Sequence, residues 1–122
     1  MAMYTEMYIN VDLKIDEKHK EFEIIKKIVE HDFSYLENNG FPATWGQLFC
    51  SMSFYTPNTD CALLTYSEVG GWSLLGKGDI ENYNKDIEKF FSWIRPFVDG
   101  NKGDFIGYMR YEDNSEPQLI YL

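Results

Sequence analysis

Residues 4 to 15 alternate strictly between apolar-side and polar-side positions. Thr5, Met7, Ile9, Val11, Leu13 and Ile15 share one face, and Tyr4, Glu6, Tyr8, Asn10, Asp12 and Lys14 share the other. A period of two over this length predicts a half-buried strand. From Asp16 to Asn39 the period lengthens, with Phe22, Ile25, Val29, Phe33 and Leu36 three or four apart and Ile24, Ile28 and Tyr35 widening the stripe. This spacing predicts an amphipathic helix. Asp16 is placed to cap its start, Glu17 suits the positive end of the dipole, and Asn38-Asn39-Gly40 is a stop signal.

Beyond the connector Phe41-Pro42-Ala43, turn residues divide the chain into short runs. Thr56-Pro57-Asn58-Thr59-Asp60 and Ser67-Glu68-Val69-Gly70-Gly71 read as turns between strands near 48–55, 61–66 and 72–77. A second helix is predicted from about Asn82 to Val98, with Tyr83, Ile87, Phe90, Phe91, Ile94 and Val98 on one face. Pro96 removes a backbone donor, so the regular part should stop near Trp93 or Ile94. The stretch 104–112, a turn at Asp113-Asn114-Ser115-Glu116 and residues 117–122 read as a closing hairpin, with Pro117 at a strand start or on an edge.

The order β-α-β-β-β-α-β-β predicts an α+β fold, its two one-sided helices packed on one face of a mainly antiparallel sheet of about six strands. The other face should be open. The 122 residues form one domain, 1–122, because either half alone would be too small to bury a core. Nine Tyr, nine Phe and three Trp supply ample side-chain surface for that core.

Charge narrows the function classes. The formal net charge is −9, and no Lys or Arg falls between Lys27 and Lys77 while Glu30, Asp32, Glu37, Asp60 and Glu68 do. Nucleic-acid binding relies on clustered cations against phosphates, so direct contact with nucleic acid or an anionic membrane is not expected. A basic protein surface is a suitable partner, although a surplus of acids also serves plain solubility. No apolar run reaches the ~18 residues of a membrane span, and the amino terminus lacks a basic segment followed by an apolar one. The expected location is the cytoplasm. Cys50 and Cys61 would be too far apart to bridge if 49–55 and 61–66 pair as a hairpin, since Cys50 would then face Tyr66 and Cys61 would face Tyr55.

Catalytic chemistry has little to stand on. The two histidines, His19 and His31, both fall on the first predicted helix among charged residues, with no motif tying either to Cys50 or Cys61. No metal-ligand spacing is present, so neither a metal nor another cofactor is expected, nor an enzyme. Gly70-Gly71 and Gly76-Lys77-Gly78 lack the spacing of phosphate-binding loops, and Gly76-Lys77-Gly78-Asp79 reads instead as a strand turning into a helix.

The expected open sheet face remains as the candidate for partner binding. Strand one contributes Tyr4, Glu6, Tyr8 and Asp12; the last hairpin contributes Tyr108, Arg110 and Glu112, with Tyr121 further on. Tyr and Arg are enriched in protein interfaces. Equally, cross-strand Tyr, Glu and Arg pairs stabilise any one-sided sheet. The alternation leaves the outward side of the hairpin open, because Phe105, Gly107, Met109 and Tyr111 also form a coherent buried set.

The run Asn82-Tyr83-Asn84-Lys85-Asp86-Ile87-Glu88-Lys89-Phe90-Phe91-Ser92-Trp93-Ile94, followed by Gly107-Tyr108-Met109-Arg110-Tyr111-Glu112 and Pro117-Gln118-Leu119-Ile120-Tyr121, resembles a family of uncharacterised small proteins encoded by phages and mobile elements of Gram-positive bacteria. The resemblance covers about 40 residues of the carboxy-terminal half and includes no active-site signature. It implies an accessory role. Joined to the acidity, it leads to the expectation of a small protein-binding module, an inhibitor of a host defence nuclease that occludes a basic nucleic-acid-binding surface with carboxylates in place of phosphates. The alternatives are an immunity-type or assembly protein that binds through the aromatic face, and a self-associating structural protein that forms a homodimer through that face or an exposed edge strand.

Overall fold

The computed structural model describes residues 3–49 and 61–122. The predicted alternation of the first segment becomes strand β1, Thr5–Leu13, which runs through the middle of a six-stranded antiparallel sheet. Its inward set, Met7, Ile9, Val11 and Leu13, is buried, as is Ile15 just beyond it. On one side β1 pairs with β3, Gly71–Ile80, which in turn pairs with β2, Ala62–Ser67. On the other side it pairs with β5, Phe105–Tyr111, which pairs with β6, Gln118–Tyr121. The two-residue strand β4, Val98–Asp99, pairs with the end of β1 at Leu13 and Asp12.

The helical stripe predicted from Asp16 to Asn39 is two helices, α1, Lys20–Val29, and α2, Phe33–Asn38. The break falls where His31 adopts φ +60, a conformation outside the right-handed helical region, and Asp32 restarts the helix by accepting the Tyr35 amide at 3.1 Å. Asp16 caps a turn ahead of α1 instead of the helix itself, accepting the Lys18 amide at 3.0 Å. That amide holds the Asp16 carboxyl below the usual range against the opposing effect of desolvation, with a further contribution from His19. Gly40, φ +83, ends α2 as the stop signal required.

Helix α3, Asp86–Ile94, stops where Pro96 predicts. A 3-10 turn, Arg95–Phe97, then passes the chain into β4. The first turn of α3 is capped from upstream, with the Ile87 amide donating to the Asn82 side chain at 3.0 Å. All the large buried side chains of α1 and α3, including Phe22, Ile25, Ile28, Ile87, Phe90 and Phe91, join the inward set of the sheet in one core. Two ring contacts fasten the layers: Phe22 of α1 on Trp72 of β3 at 4.8 Å, and Phe49 on Phe90 of α3 at 5.6 Å. Trp72 also donates its indole N–H to Glu17 at 3.0 Å.

The strand expected at 48–55 and its turn at 56–60 lie outside the described residues, apart from Leu48 and Phe49. Those two continue a 3-10 turn, Ala43–Gln47, and are fully buried. Their position corrects the reading of Gly76-Lys77-Gly78-Asp79 as a strand-to-helix turn. Gly76 and Gly78 sit inside β3 on its inward face, where a Cβ would collide with the Phe49 ring and the Leu48 carbonyl respectively. The glycines let the backbone of the 3-10 segment approach the sheet.

Candidate protein-binding face

With helices α1 and α3 on the inward side, the side chains that alternate outward from β1, β3, β5 and β2 form the opposite face of the sheet. Antiparallel pairing of β1 with β5 brings the candidate residues together: Glu6 lies opposite Arg110 and Tyr8 opposite Tyr108. Tyr4 and Glu112 extend the same ladder. The Tyr4 amide donates to the Glu112 carboxylate at 3.0 Å, and the Glu112 amide donates to the Tyr4 carbonyl at 3.1 Å. Six of the seven candidates therefore stand as three facing pairs. Asp12 is apart from them, beyond the β1–β5 pairing, opposite Ser73 and Asp99, and accepts the Ser73 hydroxyl at 2.7 Å.

The alternatives for the last hairpin are resolved by a β-bulge between Phe105 and Gly107. Gly107 stays inward, beneath the Tyr8 carbonyl and the Phe91 ring, and Ile106 is buried beside it. Tyr108 and Arg110 then point outward. The extra residue returns Phe105 to the outward side as well, where its ring lies 6.1 Å from that of Tyr121. Phe105 thus leaves the buried set to which simple alternation assigned it.

The three pairs differ in character. Tyr8 and Tyr108 form a half-buried ring contact at 5.6 Å in the middle of the face. Glu6 is buried, 8% exposed, and accepts from Arg110 at 3.2 Å, while Arg110 also donates to the Asn114 carbonyl at 2.9 Å and so ties the β5–β6 turn to the sheet. Glu6 is therefore engaged within the fold and is not a freely presented carboxylate. Burial, followed by the Glu6 charge, pushes the Tyr108 hydroxyl above its usual range. Asp79 of β3 stands directly across from Glu6. Burial first, then the charges of Glu6 and Glu112, raise its carboxyl above the ordinary aspartate value, with Arg110 offsetting part of the effect.

Several outward residues carried no signal in the sequence reading. Ser73, Leu75, Lys77 and Asp79 of β3 share this face, but the inward partners on that strand include Gly76 and Gly78, which erase the apolar alternation. Leu63 of β2 lies opposite Leu75, and both are exposed. Leu119 of β6, opposite Tyr108, is 48% exposed. The face is therefore a central strip of Tyr and paired charge, flanked by apolar side chains on both sides.

Neither histidine meets a nucleophile in the described residues. His19 lies 3.1 Å from Asp16, and the His31 ring contacts the Gly46 carbonyl at 2.9 Å. Cys61 is half-buried just ahead of β2, and Cys50 lies outside the described residues. Among the described residues there is no group of three His, Cys, Asp or Glu side chains arranged to hold a metal ion, and no helix is long and apolar enough to cross a membrane. The chain matches no protein-family model, no curated protein and no solved structure, which leaves its own geometry as the basis for a functional reading.

Proposed function

We propose that this chain is a small protein-binding module that docks a partner bearing a basic surface on the outward face of its sheet. The observation that carries the reading is the Tyr8–Tyr108 pair, half-buried at the centre of a face without helices and bordered by the exposed apolar residues Leu63, Leu75, Phe105 and Leu119. Aromatic anchors within a polar and apolar surround are the composition that interface centres favour. The net charge of −9 supplies long-range attraction to a cationic partner and repels nucleic acid.

The specific form of the reading is an inhibitor that covers the nucleic-acid-binding surface of a host defence nuclease, in keeping with the accessory role that the carboxy-terminal resemblance implies. The pairing of Glu6 with Arg110 shifts the weight from phosphate mimicry by that carboxylate to contact through the tyrosines, with the wider acidic surface steering the approach. Immobilised protein exposed to host lysate should retain a basic protein. The double variant Tyr8→Ala/Tyr108→Ala should lose it, and raised salt should slow its association. Equal capture by wild type and variant would exclude the tyrosine face.

Self-association is the second reading, favoured by exposed Phe105, Leu119 and Tyr121 lying together along β5 and β6. Light scattering over a dilution series separates it from the first: a dimer that dissociates on dilution and disappears in the Tyr8→Ala/Tyr108→Ala variant supports it, whereas a monomer at all concentrations excludes it.

A further inference from the structure

A cavity of about 420 Å³ opens at the end of the sheet where four segments converge. Tyr4 precedes β1, Asp79 and Ile80 end β3, Glu81, Tyr83 and Asn84 lead into α3, and Thr44 with Gln47 comes from the 3-10 turn; Asp86, the first residue of α3, completes the wall. Tyr4 and Asp79 belong to the outward face as well. The cavity is thus continuous with the proposed docking surface.

Its lining is one-sided in charge. Asp79, Glu81 and Asp86 contribute three carboxylates, and among the described residues no Lys, Arg or His lines the space. None of the three is in an ion pair of the described residues: the nearby cations are committed elsewhere, Lys85 to Glu88 at 3.6 Å and Arg110 to Glu6 at 3.2 Å. Asp86 is 4% exposed and accepts the Thr44 hydroxyl at 2.8 Å, so its carboxylate is fixed in place. The start of α3 favours that negative charge, but Asp79 faces Glu6 across the ladder and gains no such support. Arg110 relieves Asp79 only in part, and among the described residues the three carboxylates are not arranged to grip a metal ion.

We propose that this cavity is an anchor pocket for an arginine side chain of the protein partner. The inference rests on the protein-binding reading above and names what the partner must present. Two tyrosine rings, three carboxylates and the amide oxygens of Gln47 and Asn84 suit a planar cation with five donors, which can stack on an aromatic ring while bonding carboxylates; a compact ammonium uses such a lining less completely.

The test uses N-acetyl-arginine amide as the probe, titrated into the full chain and followed by backbone amide NMR shifts. Shifts confined to Thr44, Gln47 and residues 79–86 are expected, with no response to the citrulline counterpart and a weaker response to the lysine one. Asp79→Asn and Glu81→Gln should each weaken binding roughly tenfold, as loss of a charge-assisted bond predicts, while Glu116→Gln, far along the chain on an exposed turn, should bind as wild type. Shifts spread over the acidic surface, or equal binding of arginine and lysine, would overturn the assignment. Arginine amide binding should survive in Tyr8→Ala/Tyr108→Ala, which separates the two proposals. A partner lost in that variant with no response to arginine amide overturns the pocket alone. Arginine amide bound in the pocket, with partner capture unchanged in the variant, overturns the face alone.

Discussion

Glu6 and Arg110 face each other across β1 and β5 with their charged groups 3.2 Å apart, and the pair is shielded enough that Glu6 is 8% exposed. Each member is stabilised by the other, so single replacements leave a desolvated charge behind. Arg110→Met should cost about 1–3 kcal/mol in urea unfolding, and Glu6→Gln a comparable amount. The double variant Glu6→Leu/Arg110→Met should recover much of the loss, because it removes both charges and adds apolar contact beside the tyrosines. Additive single effects would show that the two side chains act independently.

Gly78 and Gly107 are required for a different reason. A Cβ at Gly78 would occupy the position of the Leu48 carbonyl, and one at Gly107 that of the Tyr8 carbonyl; both obstacles are backbone atoms that cannot rotate away. Gly78→Ala and Gly107→Ala should each cost more than about 3 kcal/mol, or prevent folding. Gly70 has open space at its Cβ position and no positive φ, so Gly70→Ala should stay within roughly 0.5 kcal/mol of wild type by the same thermal or urea measurement.

These glycines also explain what was and was not legible in the chain. The period of β1 is written in Met7, Ile9, Val11 and Leu13, all large and all buried, and the α+β order with helices on one face follows from it and from the two amphipathic stripes. In β3 the inward positions alternate between Leu74, Gly76, Gly78 and Ile80. Their partners are the Phe49 ring and the Leu48 backbone, a tertiary contact with no local trace, so the strand read as ending in a turn and Asp79 was not associated with the outward face. Similarly, the bulge at Ile106 has no marker beyond Gly107, and only its extra residue decides that Phe105 and Tyr108 share a side. The facing pairs themselves were legible as residue types; their register, and the engagement of Glu6 by Arg110, depend on long-range strand alignment.

Asp32 begins α2 immediately after the φ +60 residue His31, and its side chain accepts the Tyr35 amide at 3.1 Å. Without that acceptor, α1 and α2 lose the device that restarts the helix after the bend. Asp32→Ala should therefore destabilise by about 1 kcal/mol, and Asp32→Ser or Asp32→Asn, which retain an acceptor, by only a few tenths. Equal losses for all three in thermal unfolding would show that charge, including attraction to Lys27 at 3.7 Å, outweighs the cap.

Asp79 links stability to pH in the direction opposite to a salt-bridged aspartate. Burial and the charges of Glu6 and Glu112 raise its carboxyl above 3.8, so the folded chain holds this proton more tightly than the unfolded chain does. Stability from this group therefore falls as pH rises from 3.8 through the folded value, and the full loss is present at neutral pH. Asp79→Asn should accordingly have a higher Tm than wild type at pH 7, and the advantage should vanish in acid below the unfolded value. Thermal melts of both proteins across this range supply the measurement, and an advantage independent of pH would assign the gain to packing instead of charge. The same substitution should weaken arginine amide in the adjoining cavity. A change that stabilises the free protein while impairing the pocket is the pattern of a carboxylate kept for binding at the expense of stability.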